Sequence, residues 1–200
     1  MIFITFEGID GADRPLIVDR VAMNLFKRGY SVQSTHYQIR KYQTDNIAKL
    51  TPDQGESLFF EDINTQERDF DEIPDRTIVL QDRWAEAAYV YHGLVAAATY
   101  GEMRDHIFKR ARQATAPDLT VYLSVSPQRA AQRIAARDGI WIDTDYLAKL
   151  VAAYDRIYCA GMGIWDQRVY RPSGHMPFDE IAENVTDLVI DTWKEKYGSQ

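Results

Sequence analysis

The chain has 200 residues, of which 46% are hydrophobic and 26% charged, so it has the balance of an ordinary folded protein with a full core. The net charge of -7 argues against non-specific nucleic-acid binding, which needs a basic surface. A lone cysteine, Cys159, excludes a disulfide within these residues, and its neighbours predict a small core side chain. Because the start has no basic region and no apolar run is long enough for a membrane span, we expect a cytoplasmic protein without a signal peptide.

Apolar runs alternate with helical patterns along the chain. Residues 1–6 predict a buried strand, and Leu16, Ile17, Val21 and Leu25 mark an amphipathic helix that ends before residue 29. Further strands are predicted by short apolar or β-branched runs at 31–35, 77–80, 119–123 and 169–171. A closing amphipathic helix follows. Strands separated by helices predict an α/β fold, in which a five-stranded parallel sheet is flanked by helices in three layers and residues 1–200 form a single domain.

A glycine-containing turn, Gly8 to Pro15, follows the first strand. It has the spacing of the phosphate-binding motif G-x-x-x-x-G-K-[ST], in which backbone N–H groups and a helix N-terminus surround a phosphate. Three key positions differ, because the second motif glycine is Asp13, the lysine is Arg14 and the hydroxyl residue is Pro15. Asp13 adds negative charge at a polyanion site, and Pro15 lacks both an N–H and the hydroxyl that would hold Mg²⁺. By itself this altered motif predicts no more than a strand-to-helix turn, and a phosphate-binding function needs support from the rest of the sequence.

Several segments resemble the thymidylate kinase family, in the same order along nearly the whole chain. Residues 6–12 (FEGIDGA) are similar to that family's opening, 79–84 (VLQDRW) to its strand ending in D-R-[YWH], and 117–123 (PDLTVYL) to its P-D-L-T-[IV]-Y-L. Residues 56–60 (ESLFF) and 91–93 (YHG) are shorter matches. The resemblance implies the three-layer fold of P-loop NTPases, phosphoryl transfer from ATP to dTMP, and Mg²⁺ as cofactor.

The resemblance also implies functions for matching residues. The phosphate loop would comprise Gly8, Asp10, Gly11, Ala12, Asp13, Arg14 and Pro15. Asp10 would contact the sugar 3′-hydroxyl, Phe60 would stack on the base, and Arg83 would hold the acceptor phosphate. The acceptor pocket would be completed by Asn64, Tyr91 and His92. Asp82 would lie near the metal, and the catalytic set would be Arg14, Asp82, Arg83, Arg133 and Arg137, the last two on a helix that leads into a lid near 137–146.

Each of these assignments has a structural alternative. Phe60 and Tyr91 are also compatible with core positions, and the adjacent Asp82 and Arg83 with an ion pair at the end of a strand. Arginines four residues apart usually form a solvated helix face. On the lid helix, however, they are also where charge on the transferred phosphoryl group would be neutralised.

Differences from the family affect both substrates. The family's R-E-P-G-G, which follows the second strand, is replaced by residues 36–40 (HYQIR), so its phosphate-binding arginine is missing unless Arg40 replaces it. Asn64 stands where the family has an arginine, and the lid segment 138–145 has a tryptophan, Trp141, but no arginine. Losses on both the donor and the acceptor side favour reduced catalysis over a simple change of substrate.

We therefore predict a thymidylate-kinase-like nucleotide-binding protein whose phosphoryl transfer from ATP to dTMP is weak or lost. It would bind a pyrimidine nucleoside monophosphate, and ATP weakly if at all. Two alternatives stay open: an active kinase of dTMP or of a modified pyrimidine nucleotide, with rebuilt catalytic groups and Mg²⁺ at Asp82, and a non-catalytic scaffold or dimerisation partner. The family resemblance also implies a homodimer, and the apolar stretch 84–100 suits either its interface or a buried core helix.

Overall fold

A computed structural model describes residues 1–36, 52–96, 101–161 and 163–198. The strands are β1 Ile2–Glu7, β2 Val32–His36, β3 Ile78–Asp82, β4 Leu119–Tyr122 and β5 Arg168–Tyr170. The helices are α1 Arg14–Lys27, α2 Pro52–Phe70, α3 Ala85–Ala88, α4 Gly101–Ala111, α5 Pro127–Asp138, α6 Thr144–Tyr158 and α7 Phe178–Tyr197. A π-helical segment, Tyr89–Ala96, continues α3 directly. Arg40 lies outside the described residues.

The strands form one parallel sheet in the order β2-β3-β1-β4-β5. This confirms the predicted α/β fold of a five-stranded parallel sheet flanked by helices, consistent with that of P-loop NTPases. Phe6 is paired with Asp82, and Glu7 with Tyr122, so the carboxyl ends of β1, β3 and β4 meet at one edge of the sheet. In sheets of this kind, ligands bind in the crevice outside that edge.

The apolar core lies on both faces of the sheet. Along β1, Phe3 packs into the cluster that contains Trp84 on one face, whereas Ile2 and Ile4 pack with residues of α1 and α7 on the other. This alternation is expected of a strand covered by helices on both sides. The prediction that Leu16 belongs to the buried side of α1 is wrong: Leu16 is 57% exposed, while Ile17, Val21 and Leu25 are buried.

Cys159 is exposed at the end of α6, so its predicted place in the core is also wrong. The buried side of α6 is formed by Leu147, Leu150, Ala153, Tyr154 and Ile157. Two residues past Ile157, the sulfur of Cys159 accepts a hydrogen bond from Arg171 Nη1 at 2.7 Å. Among the helices of the described ranges, none has the length and apolar character needed to cross a membrane.

Candidate functional site

The loop between β1 and α1 is tight and leads directly into a helix. Gly8 and Gly11 have positive φ, and a Cβ on them would lie only 2.5 Å from Leu123 O and 2.6 Å from Ala130 O. Asp13 has φ 58° and ψ 28°, the left-handed conformation that glycine adopts most readily and aspartate tolerates better than most residues. The substitution of the second motif glycine therefore preserves the turn.

Arg14 points into the protein. Its Nε donates to Asp82 Oδ1 at 2.8 Å, and its Nη1 donates to the carbonyl oxygens of Gly8 at 2.5 Å and Ile9 at 2.6 Å. The side chains of Arg14 and Asp82 are only 7% and 11% exposed. The guanidinium thus joins the glycine loop to the end of β3 and is almost closed off from solvent.

A second cluster, formed by Asp10, Arg83 and Tyr91, lies beside this loop. Arg83 Nη2 donates to Asp10 Oδ1 at 2.5 Å and to the Tyr91 hydroxyl at 3.0 Å, and its guanidinium lies 4.7 Å from the centre of the Tyr91 ring. The Tyr91 hydroxyl donates to Asp10 Oδ2 at 3.3 Å. The structure therefore brings together three residues that the sequence assigned to the acceptor pocket.

In this second cluster an ionised carboxylate lies beside a positively charged guanidinium. Burial acts to raise the pKa of Asp10, but the positive charges of Arg83 and Arg14 outweigh it and lower that pKa, so Asp10 is ionised at neutral pH. Burial raises the pKa of Tyr91, whose hydroxyl stays a donor. Arg83 has a left-handed backbone with φ 69°, and its Nε is buried with no acceptor among the described residues. Strained backbone and unmet buried donors are features often found at binding sites.

Phe60 lies in the core side of α2, only 2% exposed, with the Arg110 guanidinium 4.2 Å from its ring centre. Asn64 is exposed one turn further along α2, where its carbonyl accepts a hydrogen bond from Arg68 Nε at 3.1 Å. His92 is half-buried against Phe59, and burial lowers its pKa to about 4. The base-side functions of Phe60, Asn64 and His92 stay predictions.

The two lid-helix arginines are both bound to acidic side chains. Arg133 Nη1 donates to Gly11 O at 3.0 Å and lies 3.0 Å from Asp13 Oδ2. Arg137 is bound to Asp138 through two hydrogen bonds, at 2.8 and 2.7 Å. The catalytic assignment of these arginines stays a prediction, but Asp13 is now seen to have a cationic partner from α5.

Sequence patterns missed the function of Glu7, a charged residue at the end of an otherwise apolar strand. Glu7 is fully buried, and its carboxylate accepts hydrogen bonds from Trp84 N at 2.6 Å and from the Tyr154 hydroxyl at 2.9 Å. Because Trp84 follows Arg83 directly, Glu7 positions the backbone of the second cluster. Burial raises the pKa of Glu7 to about 7. The pKa of nearby Glu86 is also raised well above its ordinary value, by its own burial and by the charge of Glu7.

We expect the free energy of unfolding to fall as pH rises between 4.5 and 7. The ordinary pKa of a glutamate is 4.5, and Glu7 in the folded chain is raised to about 7, so the folded state binds the proton more tightly. Ionising Glu7 should therefore cost about 3 kcal/mol of stability by pH 8. Urea unfolding of Glu7→Gln at pH 5 and pH 8 should show a flatter profile than wild type. The exposed variant Glu180→Gln is the control, and equal slopes in all three proteins would contradict the expectation.

The chain is an α/β protein whose architecture is consistent with the P-loop NTPase fold. Three features support this class: the parallel sheet, the glycine loop between β1 and α1, and the acidic and arginine side chains at the carboxyl ends of β1 and β3. No protein-family model matches the chain. Similarity to individual curated proteins is more informative. The relatives found are thymidylate kinases, at low identity but over much of both sequences.

The chain is 24% identical to thymidylate kinase of Bacillus pumilus, over 97% of each sequence. It is 25% identical to the probable thymidylate kinase of Archaeoglobus fulgidus, over 94% of each. The probable thymidylate kinase of Methanococcus maripaludis is also 25% identical, over 94% of this chain and 95% of its own. These similarities agree with the resemblance to the thymidylate kinase family that the motifs indicated.

Proposed function

We propose that this protein binds a pyrimidine nucleoside monophosphate at the Asp10, Arg83 and Tyr91 cluster, and that its phosphoryl transfer from ATP is weak or lost. The observation on which the proposal depends is the direction of Arg14. Its side chain, at the motif's lysine position, is buried in bonds to Asp82, Gly8 and Ile9 instead of facing a polyphosphate. Removal of one charge-stabilising donor from a transition state costs about 3–4 kcal/mol, or a hundredfold to a thousandfold in rate.

The acceptor side keeps the groups that a nucleoside monophosphate needs. Arg83 is 15% exposed and has a buried Nε with no acceptor in the described part of the chain, so turning toward a phosphate would improve its hydrogen bonding. Asp10, 46% exposed, offers an ionised acceptor for a sugar hydroxyl. Tyr91 supplies an aromatic wall that already packs on Arg83. This arrangement supports monophosphate binding without any donor nucleotide.

The donor side is unfavourable for a polyphosphate. The carboxylate of Asp13 belongs to the loop that would surround the phosphates, and Pro15 has no N–H to offer them. Arg133 contributes a compensating cation from α5, but it is bound to Asp13 and to the carbonyl of Gly11. An added triphosphate would have to displace these contacts, so ATP should bind poorly.

Calorimetric titration tests the proposal directly. We expect one of dTMP, dUMP and dCMP to bind more tightly than ATP. In a coupled assay with ATP and dTMP, we expect a turnover rate at least several orders of magnitude below that of an efficient kinase. A micromolar dissociation constant for ATP, or rapid turnover, would favour the active-kinase alternative. If none of the monophosphates binds, a scaffold without a nucleotide becomes the better account.

A further inference from the structure

The Arg14–Asp82 ion pair lies where the family resemblance would place Mg²⁺, at Asp82. Both side chains are at most 11% exposed, and the distance from Arg14 Nε to Asp82 Oδ1 is 2.8 Å. The guanidinium is also anchored from its other side by the carbonyl oxygens of Gly8 and Ile9. A planar cation held by three acceptors has one orientation available, so its charge is fixed beside Asp82.

The residues of this loop do not suit Mg²⁺. A hard cation of this size needs oxygen ligands in near-ideal octahedral positions, and the loop's hydroxyl ligand is replaced by Pro15. In the described ranges, no group of three or more histidine, cysteine or acidic side chains could hold a metal ion. A metal at Asp82 would also have to displace a buried guanidinium from its 2.8 Å contact with the carboxylate, or lie beside it against Coulomb repulsion.

We propose that Arg14 is a built-in counter-ion for Asp82 and takes the position of the divalent cation, so that the site neither needs nor binds Mg²⁺. The charges of Arg14 and Asp82 cancel each other, so this pair offers no net charge that would attract a metal–polyphosphate complex. What Arg14 does instead is tie the segment that contains Asp10 to the strand end that precedes Arg83. The proposal goes beyond the nucleotide assignment, because it concerns the metal alone.

A lysine could not do the same. An ammonium is one point charge on a flexible stem, whereas the guanidinium donates to the carboxylate from Nε and to both carbonyls from Nη1. A lysine at position 14 could contact the loop carbonyls and leave Asp82 available to a metal. If position 15 had a hydroxyl ligand, the residue at position 14 would therefore decide whether a divalent cation can bind at Asp82: a lysine would allow it and an arginine would not.

Mn²⁺, which replaces Mg²⁺ and is visible by electron paramagnetic resonance, tests the proposal with no nucleotide present. Three proteins are compared: wild type, the double variant Asp13→Gly with Pro15→Ser, and the triple variant that adds Arg14→Lys. We expect wild type and the double variant to bind Mn²⁺ equally poorly, and the triple variant to bind it about 10- to 100-fold more tightly. Adding Asp82→Asn to the triple variant should remove the gain.

Two results would overturn the proposal. If wild type or the double variant binds Mn²⁺ as tightly as the triple variant, Arg14 does not exclude the metal. If the triple variant gains nothing, some other feature excludes it. Urea unfolding confirms that each variant is folded, and should the triple variant be unstable, Arg14→Lys with Pro15→Ser gives the same comparison while keeping Asp13 and its bond to Arg133. Failure of monophosphate binding would not affect either outcome.

Discussion

Arg83→Ala is expected to weaken the binding of dTMP, or of whichever pyrimidine monophosphate binds best, by about 10- to 150-fold, since a hydrogen bond to a charged group contributes about 1.5–3 kcal/mol. The fold should tolerate the change. Arginine and alanine both have a Cβ, so the strain of φ 69° stays the same. Asp10, which loses one of its partners, keeps the hydrogen bond from Tyr91, is 46% exposed and can be solvated. Isothermal titration calorimetry measures the effect.

Two further variants make this expectation specific. Arg83→Lys keeps the charge but not the planar fork, so its affinity should lie between those of wild type and Arg83→Ala. Arg168→Ala removes an arginine that is 45% exposed and paired with Glu195, on strand β5, and should leave the affinity unchanged. Unchanged affinity in Arg83→Ala would show that the phosphate is held elsewhere, and a similar loss in Arg168→Ala would point to general electrostatic attraction.

The centre of the sheet was predictable because β1, β3 and β4 contain short, buried apolar runs. Residues 119–123 are buried in full, and the strand there, β4, begins at the predicted residue, Leu119. The end of β3 was harder to place: Gln81 and Asp82 are polar yet buried, so the apolar run stops before the strand does. Polar residues buried at a strand end are explained by the site they form, which a hydrophobic pattern does not reveal.

Several residues of the site were predictable from the sequence, but the contacts between their side chains were not. Family resemblance indicated Asp10, Arg83 and Tyr91, and these three are in contact. That Arg14 points inward was not predictable, because a motif specifies a residue type and not the direction of its side chain. The contact between Arg133 and Asp13 joins positions 120 residues apart, so only the folded chain brings them together.

The largest stability effect is expected at the Arg14–Asp82 pair. Asp82→Asn would leave a guanidinium that is only 7% exposed without its closer charged partner, since Asp10 lies at 4.0 Å, and removing one member of a buried pair typically costs about 3–5 kcal/mol. Replacing both residues, as Arg14→Met with Asp82→Leu, should recover much of that loss, because no buried charge remains. Glu195→Gln, in a pair whose side chains are 45% and 68% exposed, is the control and should cost less than about 1 kcal/mol. Urea unfolding of these variants, with Arg14→Met and Asp82→Leu added as the two matching single variants, gives the double-mutant cycle and its control. Equal small losses in Asp82→Asn and Glu195→Gln would mean that water reaches the Arg14–Asp82 pair in solution, and that the phosphate loop opens more readily than its buried contacts indicate.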